Sequence, residues 1–147
     1  LFKVICADGA DFVRENPAAF DVVLVDGFNA EGQPEQLCSS SFYDDCYEAL
    51  HTGGVLVVNL CTDDPGQSSY LARIHRSFKT NVVAVEADEG DNTIVFACKD
   101  SACPPPFTEL ANRLRGLEAK HPIELDKTLH KLLRPGHAGK GKRKKRR

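Results

Sequence analysis

The sequence contains no methionine and no tryptophan, and the first absence is the more informative. A translated product begins with Met, whereas this chain opens Leu1-Phe-Lys-Val4. It therefore reads as a fragment, a processed chain or a partly recorded one, whose fold lacks its first elements. Long apolar runs are also missing: none approaches the ~18 residues that a membrane span needs, which excludes a membrane-spanning protein. A composition 41% hydrophobic and 27% charged excludes a collagen-like or wholly disordered chain. Asp8 and Asp11 break the first apolar stretch, so no signal peptide is read there. None of the six cysteines stands in a C-x-x-C pair, and three lie in apolar periodic segments, where a thiol behaves as a small hydrophobe. The expectation is a reduced, cytoplasmic protein with buried thiols. The five histidines share no ligand spacing with one another or with the cysteines, so no metal site is expected. No serine or cysteine nucleophile has a base placed for it by sequence.

What is present is 147 residues, enough for one domain with a core, and a divided charge. Residues 134–147 hold eight cations, among them Arg134, Lys140, Lys142 and Arg143, and no anion. The first 133 residues hold eleven cations against all 21 anions. The body is acidic and the tail basic. The tail could bind nucleic acid or an anionic surface through phosphates, but it has no aromatic residue to stack on bases; it reads as a solvated, disordered segment that aids solubility or makes weak nucleic-acid contact without sequence preference.

The expected elements alternate. Leu1 to Ala7 reads as a strand ending in the Asp8-Gly9 turn, and Ala10 to Asn16 as a short helix stopped by Pro17. Asp21-Val-Val-Leu-Val-Asp26 reads as a strand buried on both faces. Gly27 to Ser41 is a polar stretch without periodicity, long for a plain connection and hence a place to look for function. Ser41-x-x-Asp44 reads as a capping box, with Phe42, Cys46 and Leu50 on one helical face and Gly53-Gly54 ending the helix. His51 then falls in its last turn. Val55 to Leu60 is a buried strand. Asp64-Pro65 starts a helix with Leu71, Ile74, His75 and Phe78 as its stripe, His75 partly buried. Asn81 to Ala87 and Asn92 to Cys98 form an antiparallel hairpin. After Pro104-Pro-Pro106 come two amphipathic helices, the first with Phe107, Leu110, Leu114 and Leu117, the second with Leu125, Leu129 and Leu132. This order implies an α/β fold: a doubly wound, mostly parallel sheet with an antiparallel terminal pair. The division is an α/β part over 1–103, helices over 104–133 and the tail over 134–147. Ligands on such sheets bind outside the carboxyl ends of the strands, at Asp8-Gly9, from Asp26 onward, and from Asn59 to Asp64.

Each candidate there has a plain reading beside the functional one. Asp8-Gly9 is a common turn pair, and equally a carboxylate for an exocyclic amine beside a glycine that lets a ligand approach. Asp26 ends an apolar run and needs solvent, a partner or a task; it is either a cap for the next segment or a reacting group. Asn29, Glu31, Gln33 and Glu35 make the following loop rich in acceptors, suited to a cationic ligand or merely to solvent.

Taken in order, Asp8-Gly9-Ala-Asp-Phe-Val13, Phe20-Asp-Val-Val-Leu-Val-Asp26, a glycine-containing loop, Leu37, Phe42-Tyr43, Leu50 and Gly53-Gly54-Val-Leu56 resemble the spermidine synthase (polyamine aminopropyltransferase) family. The resemblance runs over about residues 3–99 and implies the Rossmann-like fold of class I S-adenosylmethionine-dependent methyltransferases, of which this chain is the carboxyl-terminal portion. It implies that Asp8 and Gly9 contact the adenine of decarboxylated S-adenosylmethionine, that Asp26 is the catalytic base, and that Asn29, Glu31 and Gln33 face a small-molecule amine. No metal takes part, and a homodimer is left open. An amine of pKa about 10 is protonated at neutral pH, so a carboxylate must help remove its proton before attack. The loop departs from the family at Asn29, where the family carries a diamine-binding aspartate, and at Ala30 and Gln33, where it carries prolines. No tyrosine stands between Ala87 and Thr93. Asn29 accepts a hydrogen bond without offsetting an ammonium charge; Glu31 offers an anion nearby. Two other functions fit the same residues: a methyltransferase-like enzyme that uses intact S-adenosylmethionine, and a non-catalytic protein whose tail binds a polyanion.

Overall fold

The structure is a computed structural model that describes residues 2–29, 32–79, 81–87, 92–121 and 125–133. The basic tail, Glu31 and the 88–91 turn lie outside the described residues.

A four-stranded sheet carries the fold, in the order β1 (Phe20–Val25), β2 (Leu50–Cys61), β4 (Asn92–Cys98), β3 (Val82–Glu86). β1 and β2 are parallel, with Val25 beside Val58, whereas β4 pairs antiparallel with both β2 and β3. The α-helix α2 (Ser40–Ala49) makes the crossover between β1 and β2, as a parallel pair requires. It packs between α1 (Gly9–Arg14) and α3 (Gln67–Phe78). Val13, Phe42, Tyr43, Cys46, Ile74 and Phe78 from these helices meet Val25, Leu56, Val58, Leu60, Val95 and Ala97 from the sheet. Alternation along β2 explains the choice: Leu56, Val58 and Leu60 point into this core, while Val55, Val57, Asn59 and Cys61 between them are half-buried. Each of the buried aliphatic side chains contributes about 1.5–3 kcal/mol of transfer free energy. The last two helices are α4 (Phe107–Glu118) and α5 (Asp126–Leu133); they pack on each other, and α5 also on β3. Leu114 and Leu129 are buried, whereas Phe107 and Leu117 at the ends of the α4 stripe stay exposed.

Several expectations are corrected. Residues 2–7 form no strand, and Phe2 is 93% and Val4 80% exposed. Apolar alternation alone makes no strand when its edge has no partner, since each unpaired peptide group then keeps its water. β1 is likewise not buried on both faces: it is the sheet edge, with Val22 53% and Leu24 73% exposed. The helix α2 is capped by Ser39, whose Oγ accepts from the Phe42 amide at 3.1 Å, and not by Ser41. Gly53-Gly54 does not end that helix. β2 begins at Leu50 and runs through both glycines, with three extra residues bulged between the Phe20–Leu50 and Val22–Val55 pairs. Gly53 has φ +79°, and a Cβ on Gly54 would lie 2.9 Å from the His51 carbonyl and 3.0 Å from that of Asp21. The glycines therefore serve a bulge that needs a left-handed residue and a close backbone approach. His51 accordingly lies on the exposed bulge. Asp64 does not cap the helix: its Oδ1 accepts from the Gly66 amide at 2.7 Å within the preceding turn, and α3 starts at Gln67 after Gly66, an N-cap without a side-chain bond. His75 is exposed, its Nδ1 3.4 Å from the Lys79 carbonyl.

Candidate functional site

The carboxyl ends of β1 and β2 lie side by side because the strands are parallel and in register, and this places Asp26 next to Asn59. Asn59 Nδ2 donates to Asp26 Oδ1 at 3.0 Å. The Asp26 carboxylate is exposed, while the Asn59 Oδ1 is buried without a partner among the described residues. One end of the amide thus fixes the carboxylate and the other faces inward with its acceptor unspent, which costs about 1–3 kcal/mol unless a ligand or water fills it. Asn59 was within the stretch flagged after β2, yet it was not singled out. Its signal was a lone amide in the apolar run Val57-Val-Asn-Leu60.

The loop after β1 closes on itself. Asn29 and Gly32 exchange backbone hydrogen bonds of 2.8 and 3.2 Å, and Gly32 takes φ +116°, a conformation that favours glycine. Beyond it Gln33 is buried, 8% exposed, with Nε2 donating to the Leu37 carbonyl at 3.5 Å and Oε1 unpartnered among the described residues. A Cβ on Gly32 would sit 3.3 Å from Asp64 Oδ2, so a second carboxylate, from the stretch after β2, lies against this loop.

Leu37, in the short 3-10 turn Glu35–Leu37, ties the parts together. Its Cδ1 would lie 2.8 Å from a Cβ on Gly27 and its Cδ2 3.5 Å from a Cβ on Gly9. A side chain at position 27 would therefore have to displace the Leu37 methyl. A cavity of about 340 Å³ runs from Gly9 along the free edge of β1 to Asp26 and Gly27, walled by Phe12, Val23 and Leu37 among others. Two of the expected site residues, Gly9 and Asp26, therefore share one cavity. Asp8 does not line it: its Oδ1 caps α1 by accepting from the Ala10 and Asp11 amides at 2.9 and 3.1 Å, and its side chain borders a second, polar hollow of about 280 Å³ with Arg14, Gln36 and Ser39. Asn29 and Gln33 line neither cavity. Among the described residues no three His, Cys, Asp or Glu side chains are grouped to hold a metal ion, and no helix is long and apolar enough to cross a membrane.

Burial sets the titration behaviour of the core beneath the site. The Tyr43 phenol is pushed well above its ordinary value, chiefly by desolvation, and the Cys46 thiol up to about 12 by the same cause. Both stay neutral at physiological pH, so neither is a nucleophile or base.

Comparison with known proteins accords with this geometry. The model of the spermine/spermidine synthase domain matches residues 1–89. The polyamine aminopropyltransferase of Chromobacterium violaceum is 30% identical over 132 residues, which is 90% of this chain and 51% of that protein. That of Neisseria meningitidis serogroup A is 28% identical, over 87% of this chain and 49% of its own length. The chain thus spans about half the length of the curated relatives it matches. Among solved structures, a spermidine synthase in complex with the transition-state analogue AdoDATO superposes with TM-score 0.59 at 26% identity, covering 66% of this chain and 36% of that one. Human methyltransferase-like protein 13 in complex with SAH superposes with TM-score 0.67, also at 26% identity, covering 86% and 63%. The sheet, the flanking helices and the sequence match agree: this chain belongs to the spermine/spermidine synthase family and has the Rossmann-like fold that the family shares with methyltransferases.

Proposed function

We propose that this chain is the base-carrying portion of an aminopropyltransferase that binds a S-adenosylmethionine-type nucleotide. The observation that carries this reading is Asp26, at the end of a parallel strand, held by Asn59 at 3.0 Å and opening on the cavity that reaches Gly9. The nucleotide supplies a carbon made electrophilic by its sulfonium neighbour. This chain supplies the rest. Gly9 leaves room for the nucleobase, and Asp8, bound to the first amides of α1, orients that turn. Asp26 accepts the proton of the incoming ammonium, so that a neutral nitrogen lone pair faces the reacting carbon. Asn59 keeps the accepting oxygen aimed. Asn29, Glu31 and Gln33 belong to the acceptor side, where Asp64 adds an anion that Asn29 does not.

The division into a partial nucleotide-binding part over 1–103, helices over 104–133 and a basic tail over 134–147 is part of the same proposal. So are a reduced cytoplasmic setting and weak nucleic-acid contact through the tail.

A second reading keeps the site and changes the reaction to methyl transfer from intact S-adenosylmethionine. The neutral Asn29 in the acceptor loop favours it, as does the superposition on a methyltransferase-like protein over most of the chain. Calorimetry of the full-length protein with each nucleotide separates the two. Aminopropyl transfer predicts at least about tenfold tighter binding of the decarboxylated form; a preference for the carboxylated form contradicts it.

A further inference from the structure

On α3, outside both cavities, stands a cation without an anion. Arg73 is half-buried and forms no ion pair among the described residues, whereas Arg76 on the same helix pairs with Asp44 at the surface. The Arg73 guanidinium lies over the Tyr70 ring, 5.7 Å from its centre, and Nη1 donates to the Cys38 carbonyl at 2.6 Å. Tyr70 is a fixed platform, since its hydroxyl lies against Gly66, where a Cβ would collide with it. The start of α3 is in turn tied to the sheet: Gln67 Nε2 donates to Thr93 Oγ1 on β4 at 3.0 Å. At the other end of the Arg73 bond is the loop that follows β1, whose own hydrogen bonds are mostly local. The Leu37 amide donates to the Pro34 carbonyl at 2.9 Å and the Cys38 amide to the Glu35 carbonyl at 3.2 Å. Cys38 Sγ donates to the same Glu35 carbonyl at 3.5 Å. Such bonds shape a turn without setting where it sits on the molecule.

We infer that Arg73 is a positioning residue for the acceptor side: through the Cys38 carbonyl it fastens residues 33–38 to α3. The inference rests on the proposed reading of the loop after β1 as the side that receives the amine. Leu37 carries the effect to the site. It precedes Cys38, walls the cavity that opens at Asp26, and its Cδ1 lies against position 27, next to Asp26. Releasing the Cys38 carbonyl therefore frees the wall beside the proposed base, while α1 and its turn at Asp8-Gly9 keep their own bonds. Arginine suits this task better than lysine. Its planar guanidinium lies flat on an aromatic face while an in-plane N–H reaches the carbonyl, and a charged donor makes that bond stronger than a neutral one. A lysine at the same place supplies a donor but no plane to stack.

The test compares the full-length protein as wild type, Arg73→Ala, Arg73→Lys and, as a control on the same helix, Arg76→Ala. Hydrogen exchange of the Leu37 and Cys38 amides reads the fastening and needs no turnover. It is expected to quicken at least about tenfold in Arg73→Ala, less in Arg73→Lys and not in Arg76→Ala, while the β2 amides exchange as before. Kinetics with decarboxylated S-adenosylmethionine and 1,4-diaminobutane read the consequence. In Arg73→Ala the KM for the amine is expected to rise about threefold to tenfold with the KM for the nucleotide unchanged, a split that general loss of stability does not produce. Unchanged exchange at Leu37 and Cys38 in Arg73→Ala overturns the inference. So does quickened exchange with an unchanged KM for the amine. A wild-type protein that neither binds the amine nor transfers to it contradicts the proposed function and takes the acceptor role of Arg73 with it, while the exchange rates report the fastening separately.

Discussion

Of the three side-chain polar atoms buried without partners among the described residues, Gln33 Oε1, Tyr43 OH and Asn59 Oδ1, the last two have opposite meanings. Asn59 Oδ1 belongs to a side chain whose other end holds Asp26, so the cost of burying it is borne by a residue that positions the site. Replacing Asn59 with Ala in the full-length protein is expected to lower kcat about fivefold to tenfold with little change in KM for the nucleotide, since one hydrogen bond that orients an exposed carboxylate is lost. Steady-state kinetics with the nucleotide varied checks the split. Tyr43 OH is equally unpartnered among the described residues but belongs to a fully buried core side chain of α2. Removing the hydroxyl while keeping the ring removes a desolvated group that receives nothing in return. Tyr43→Phe is therefore expected to leave stability unchanged or raise it by about 1 kcal/mol, measured as the urea midpoint. A loss of more than about 1 kcal/mol would reveal a partner for that hydroxyl.

At the scale of elements, the start of α2 offers a clean comparison. Ser39 accepts from the Phe42 amide, and Ser41 lies one residue inside the helix, its hydroxyl 3.1 Å from that of Ser39. Ser39→Ala is expected to cost about 1 kcal/mol and Ser41→Ala a few tenths, read from paired thermal melts. The reverse order would restore the capping box that the spacing Ser41-x-x-Asp44 first implied. This element also shows what the sequence made legible. Phe42 and Cys46 placed the helix and its buried face correctly, because period 3.6 depends only on which side faces the core, whereas Leu50, read as the third member of the stripe, begins β2. The helix ends were missed, because Gly53-Gly54 has two uses, a helix stop and a bulge. The choice between them rests on the Asp21 carbonyl lying across the strand, which local pattern does not contain. The terminal hairpin was legible for the same reason as the helix, with alternating apolar residues on both sides of an acidic turn.

Over the whole molecule, the errors share a cause. Residues 2–7 and β1 have the composition of interior strands, and Val22, Leu24 and Phe2 are nevertheless exposed, because no described strand pairs with the outer edge of β1. Composition reports the environment for which a segment is suited; the structure reports the environment it has in this chain. The chain spans about half the length of the curated relatives it matches. The position of Asp26 just after a strand was legible from the apolar run that it ends. Asn59 was not, because its pairing with Asp26 depends on strand register. The central claim is that the carboxylate between these scales, fixed by one residue and positioned by two strands, removes the proton from the acceptor. Its most direct test is Asp26→Asn in the full-length protein, with turnover and nucleotide affinity measured on the same preparation. The account predicts a fall in kcat of about 10²-fold to 10⁴-fold with nucleotide affinity retained; unchanged turnover would contradict it.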